Sequence, residues 1–200
     1  MSVPTRAQRM ARRVEREMRR AGLADPAIDG VLDAYRLAME VRSRSLDDGH
    51  PDFLHPARTV LVLLLDAGVR DGTLLTAAAL CESHRPELAV PVERARERVG
   101  EASARLVAAV PTPESSGDLL LEDLVAAPPH VLLLAVAERL DHARHLHLAP
   151  REEWTPFHET ACSAYAVAAR RTGPRLAGRY AFWCRNFQER YLARPRARRP

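Results

Sequence analysis

Apolar residues recur at three- and four-residue intervals along almost the whole chain, and no segment alternates as a half-buried strand does. That period commits the backbone to helices, and no internal repeat points to a solenoid. Aromatic residues make up only 5% while Ala, Leu and Val abound, so the expected core is aliphatic. At 200 residues the chain is long enough for one such core. No apolar run reaches the ~18 residues of a membrane span. The segment Met1 to Gly22 is too basic, and too poor in apolar residues, for a signal peptide. These features predict an all-α protein of the cytoplasm, without a membrane partner.

Punctuation divides the pattern. Residues 5–21 place Ala7, Met10, Val14, Met18 and Ala21 on one stripe, for docking on the domain or on a second copy of the chain as a homo-oligomer. Residues 1–24 thus form an Arg-rich amphipathic helix, followed by a main domain over 25–193 and a basic, disordered tail over 194–200. Asp25-Pro26 has the grammar of an N-cap followed by proline in the first turn, as does Thr155-Pro156. Residues 45–53 form a loop by composition, and helices follow over about 56–67 and 73–82. Two short helices hinge at Gly100, Pro111 to Gly117 is breaker-rich and mobile, and helices over about 118–126, 130–148, 156–172 and 175–192 complete the chain.

A net charge of +4 invites a nucleic-acid reading, but the excess arginines gather at the two ends and every basic residue is Arg rather than Lys. Charge alone supplies only non-specific, salt-sensitive affinity, so a nucleic-acid partner is disfavoured. An interaction module that uses the Arg-rich termini on nucleic acid or an acidic protein partner stands as a lesser alternative. Cys81, Cys162 and Cys184 match no zinc-ribbon spacing and form no disulfide framework; free thiols are expected.

Four places carry chemistry. His55 stands between a loop and a buried helix. Cys81 and Glu82 end an apolar helix. Glu138 interrupts the most apolar stretch of the chain, Val131 to Ala137, where an unpaired carboxylate is costly. His142 and His145 follow Glu138 at i+4 and i+7 on one helical face.

In order and spacing these stretches resemble the HD-type hydrolase domain of the RelA/SpoT alarmone enzymes. That family carries an HP step, an HD pair and later A-D-R-L-H-N and E-T-x-x-x-Y-A stretches. Here stand Leu54-His55-Pro56, Leu80-Cys81-Glu82, Ala137-Glu138-Arg139-Leu140-Asp141-His142, and Glu159-Thr160 with Tyr165-Ala166. The resemblance covers roughly residues 30–193 and implies an HD-domain helical bundle of about eight to ten helices. It also implies a divalent metal, manganese in the family, at His55, Cys81, Glu82 and Glu138. A guanosine nucleotide or other phosphorylated small molecule would then be bound with help from Arg42, Arg44, His142 and His145.

Only His55 is unchanged among the family's metal ligands. The two acidic residues that help activate water in the family fall on Arg85 and Pro86. Two readings follow. In one, His55, Cys81, Glu82 and Glu138 form a remodelled centre that favours zinc and hydrolyses a phosphate ester, with His142 and His145 as further nitrogen donors. In the other, Cys81 is a small core residue, Glu138 pairs with an arginine, and a ligand-binding or regulatory pseudoenzyme remains with weak or no alarmone hydrolysis.

Overall fold

The computed structural model describes residues 5–112 and 117–193, and those residues form an all-α bundle with no strand. The expected basic tail lies outside the described residues, as does most of the breaker-rich segment after Pro111.

Helix α1 (Arg6–Arg20) starts at a Thr5 cap, whose hydroxyl accepts from the Gln8 N–H while the Gln8 side chain accepts from the Thr5 N–H. Its stripe buries Val14 and Met18 against α2 (Asp25–Ser45) and α3 (His55–Leu61), so this helix docks on the same core as the main domain. Asp25 does not cap α2. Ala24 occupies that position without a side-chain bond, and the Asp25 carboxylate instead accepts from Arg19 at 2.6 Å.

Helix α3 runs without a break into a π-helical turn, Val62–Asp66. Helix α4 (Gly72–Leu80) then packs along α2, and glycine is what permits the approach at its first turn. A Cβ on Gly72 would sit 2.8 Å from the Ala27 Cβ, closer than two carbons pack. Helices α5 (Val92–Val99) and α6 (Glu101–Ala108) hinge at Gly100, whose φ of 91° lies in the left-handed region.

Helices α7 (Gly117–Ala126) and α8 (Pro129–His145) follow. Helix α8 threads the centre of the bundle against α3, α4 and α6, which is why nearly every residue from Val131 to Ala143 is buried. Burying a leucine side chain of this kind contributes about 1.5–3 kcal/mol. Helix α9 (Trp154–Thr160) continues through the π-helical turn Ala161–Tyr165 to Arg171, and α10 (Pro174–Phe187) closes the bundle. Thr155 lies inside the first turn of α9 rather than capping it, because a short 3₁₀ turn, Arg151–Glu153, leads directly into that helix.

The cysteines depart from expectation. Cys162 and Cys184 are joined in a disulfide across 22 positions, with a Cα–Cα distance of 6.0 Å. Helical packing brings the turn after α9 onto α10, a proximity that sequence spacing does not reveal. Among the described residues Cys81 is the free cysteine.

Candidate metal centre

Helix α4 ends at Leu80, and Cys81 takes an extended conformation (φ −68°, ψ 122°). Successive side chains of extended backbone point to opposite sides. Cys81 therefore enters the apolar core, 2% exposed, while Glu82 turns to the polar interior between α3 and α8. His55 reaches that space from the first turn of α3, and Glu138 and His142 reach it from successive turns of α8.

His55, Glu82, Glu138 and His142 each offer one ligand atom, and those four atoms lie within 4.8 Å of one another. The His142 Nε2 is 3.2 Å from Glu82 Oε1 and 3.3 Å from Glu138 Oε1, and His55 Nε2 is 3.9 Å from Glu138 Oε1. Four donors held tetrahedrally at metal bond lengths near 2.1 Å stand about 3.4 Å apart. These three separations lie near that edge, and the rest stay within 4.8 Å, so the side chains would have to close inward to share a single divalent cation. Two imidazoles and two carboxylates suit zinc, and they also suit manganese.

Each of the four donors has an outer partner. The His55 Nδ1 lies 2.9 Å from Asp141 Oδ2, and Asp141 in turn accepts from Arg58 at 3.0 Å. The His142 Nδ1 lies 3.3 Å from Asp52 Oδ1, with Arg85 Nε 2.8 Å from the other oxygen of Asp52. Glu82 Oε2 accepts from Arg42 at 2.5 Å, and its Oε1 accepts from the Arg85 backbone N–H at 2.9 Å. Ser83 donates to both oxygens of Glu138, through its N–H and its hydroxyl, each at 3.0 Å. A carboxylate behind a ligating histidine fixes its tautomer and raises its basicity, so these contacts aim the two Nε2 atoms inward. The Thr59 hydroxyl also stands 3.3 Å from His55 Nε2 while it donates to the His55 carbonyl.

Electrostatics follow from this packing. Burial alone would raise the pKa of Asp52, but the hydrogen bond and charge of His142, aided by His55 and Arg85, hold it well below the usual carboxylate range. Burial likewise opposes ionisation of Glu82, yet His142, His55 and Arg42 hold it low. Glu138 is also lowered, by the hydrogen bond and charge of His142 against its burial. Asp141 is held low against its burial by His55 and Arg58. Burial would keep His142 neutral, but Glu82, Asp52 and Glu138 raise its pKa well above the ordinary histidine value. Without metal, that imidazolium is the cation the carboxylates share.

Several residues singled out in the sequence occupy other places. Cys81 is not one of the converging donors; burial, then the charges of Glu138 and Glu82, push its thiol up and keep it protonated. His142 takes the fourth place. Arg42 is 1% exposed and spends its donors on Glu82 and on the Asp52 and Leu88 carbonyls, so it braces the centre and does not face a ligand. Arg44 is exposed at the end of α2. His145 is half-buried, with its Nδ1 2.8 Å from the Asp141 carbonyl. Asp52, Ser83 and Asp141 were not singled out. Asp141 alone left a signal, as a second carboxylate at i+3 from Glu138 on the same buried helix.

A cleft of about 420 Å³ opens beside the centre, lined by Ser83, His84, Arg85, Arg139, Phe157 and Thr160 among others. His84 stands between the cleft and the centre, its ring 5.0 Å from that of His142. Burial and the neighbouring Arg139 and His142 lower the His84 pKa to about 3, so its neutral ring can accept from Arg139 Nη1 at 2.9 Å. The Arg139 guanidinium also lies over the Phe157 ring, 3.7 Å from its centroid.

No protein-family model matches the chain, and no curated protein matches it in sequence. Among the described residues no helix is long and apolar enough to cross a membrane. The all-α fold and a buried His/Glu/Glu/His group able to hold a divalent metal are what the geometry establishes.

Proposed function

We propose that the protein is a metal-binding helical domain of the HD type, related to the (p)ppGpp hydrolases. In this reading one divalent ion at His55, Glu82, Glu138 and His142 organises a cleft for a guanosine nucleotide or another phosphorylated small molecule. The carrying observation is the set of outer partners, Asp141, Asp52, Arg42 and Ser83, one behind each donor. An ordinary ionic cluster has no need to turn both Nε2 atoms and two carboxylate oxygens toward one point. A bound metal supplies Lewis-acid stabilisation of a phosphoryl group. The chain's own contribution is to orient the four donors around one point.

Alarmone hydrolysis is expected to be weak or absent. The positions that carry the family's water-activating acids hold Arg85 and Pro86, and Arg85 is committed to Asp52 and Glu153. Loss of a general base costs about 10²–10⁴-fold in rate. The domain then serves as a ligand-binding or regulatory protein. The alternative, an active phosphohydrolase with a remodelled centre, draws on the cleft whose lining includes Ser83, the residue that donates to Glu138. The reading assigns the protein to the cytoplasm, where reductants would keep Cys162 and Cys184 largely as thiols.

The test is calorimetric titration with GDP and ppGpp, before and after loading with zinc or manganese, alongside phosphate release from ppGpp. Metal-dependent binding without turnover is the expected result. Rapid release abolished by His55→Ala would establish the enzyme instead, and no nucleotide binding with metal loaded would refute the cleft's assigned role.

A further inference from the structure

Helix α8 serves two faces. Glu138 and His142 point into the metal centre, whereas Asp141 and Arg144 turn toward a second cleft, in keeping with 3.6 residues per turn. Four helices each bring one arginine to this cleft: Arg13 from α1, Arg58 from α3, Arg144 from α8 and Arg179 from α10. With Leu61 and Leu65 they line a volume of about 470 Å³. That lies within the ~300–1,000 Å³ typical of small-molecule sites.

Two carboxylates face these four guanidiniums. Asp66, carried outward by the π-helical turn after α3, accepts from Arg144 at 2.6 Å and lies 3.3 Å from Arg179. Asp141 accepts from Arg58 at 3.0 Å. The cleft therefore keeps a cationic excess. Arg13 is exposed and has no hydrogen-bond or ion-pair partner among the described residues. Each guanidinium carries five N–H donors, and Arg144 and Arg179 each direct one of their terminal nitrogens at Asp66, which leaves donors free on both. Leu61 and Leu65 line one wall, and Leu65 is 46% exposed.

We propose that this cleft is a second ligand site, separate from the metal centre, for a small organic phosphate. Phosphoryl oxygens engage the converging guanidiniums, and an apolar or aromatic body lies on Leu61 and Leu65. A phosphate presents three acceptor oxygens with nearly two charges, so it can engage several forked guanidiniums at once. The Arg-rich N-terminal helix thus contributes one arginine, Arg13, to a formed pocket.

The experiment is isothermal titration of the full chain with ADP and, separately, with inorganic pyrophosphate. ADP is expected to bind more tightly than pyrophosphate, and R13E/R179A to weaken it at least about tenfold. The control R98E/R105A, with exposed arginines on α5 and α6, should bind as the wild type does. R13E alone changes an exposed side chain without a partner, so it carries the test if the double variant fails to fold. Absence of ADP binding up to about 1 mM overturns the proposal. So does binding that R13E/R179A leaves intact, which would place ADP in the other cleft, or an equal loss in the control pair, which would mean net charge alone. Pyrophosphate binding as tight as ADP would refute the role of the apolar wall.

Discussion

His142 and Asp52 face each other across 3.3 Å, Nδ1 to Oδ1, and that contact turns the His142 Nε2 toward Glu82 and Glu138. The same arrangement recurs between His55 and Asp141. Two carboxylate-backed imidazoles converge on one point from different helices, and the metal reading stands on that convergence. Asp52→Asn should lower zinc affinity about 10–100-fold while the protein remains folded. Competition against a chelating dye, with circular dichroism as a check on folding, measures this. Unchanged affinity would mean that Asp52 does not support the centre.

Arg42 and Arg44 are two positions apart on α2 and should behave oppositely. Removal of the Arg42 guanidinium takes one buried cation from Glu82, 1% exposed in its side chain, and leaves it to His142 and backbone N–H groups. That loss falls toward the lower end of the about 3–5 kcal/mol of a broken buried pair. Arg44 is exposed, so Arg44→Ala should stay within about 0.5 kcal/mol of wild type. Urea unfolding of Arg42→Ala and Arg44→Ala, both metal-free, decides this. Equal stabilities would contradict the bracing role.

Protons compete with metal for His142. Its pKa in the folded, metal-free protein is raised, so the stability its charge contributes is fully present below the ordinary value of about 6.5 and is lost as pH rises through the folded value. A cation at the centre requires the neutral imidazole. Metal binding should therefore release protons and tighten as pH increases from about 6 to 8. Calorimetry in buffers of different ionisation enthalpy counts the released protons, and zero release would exclude His142 as a ligand.

The Cys162–Cys184 disulfide pins the turn after α9 to α10. Closing a loop of this size typically contributes about 2–4 kcal/mol. Oxidised protein should therefore unfold at higher denaturant than protein treated with reductant, and Cys162→Ser should abolish the difference. A difference that persists in Cys162→Ser would contradict the stabilising role of this disulfide.

Much of the architecture was legible because α-helical spacing is a local property. The Val14 and Met18 stripe, the Gly100 hinge and the buried stretch around Glu138 all followed from it. It was the resemblance to the alarmone hydrolases, not periodicity, that grouped His55, Glu82 and Glu138, and these three do converge. Cys81, carried over from the family's HD pair, is not among the four converging donors. With α4 ending at Leu80, the extended backbone at Cys81 sends its thiol into the core and gives Glu82 alone to the centre. Asp52 sits in a loop whose path only tertiary packing fixes, and Ser83 acts partly through its backbone N–H, which every residue but proline has. The Cys162–Cys184 contact also depends on how two helices cross, and spacing carries no record of that.

The central claim is the identity of the four donors, and metal stoichiometry tests it most directly. Tag-free protein would be dialysed against zinc or manganese and analysed by mass spectrometry, together with His55→Ala, His142→Ala and Cys81→Ala. The account predicts about one equivalent in the wild type and in Cys81→Ala, with loss in both histidine variants. No metal in the wild type, or metal lost in Cys81→Ala and retained in His142→Ala, would contradict it.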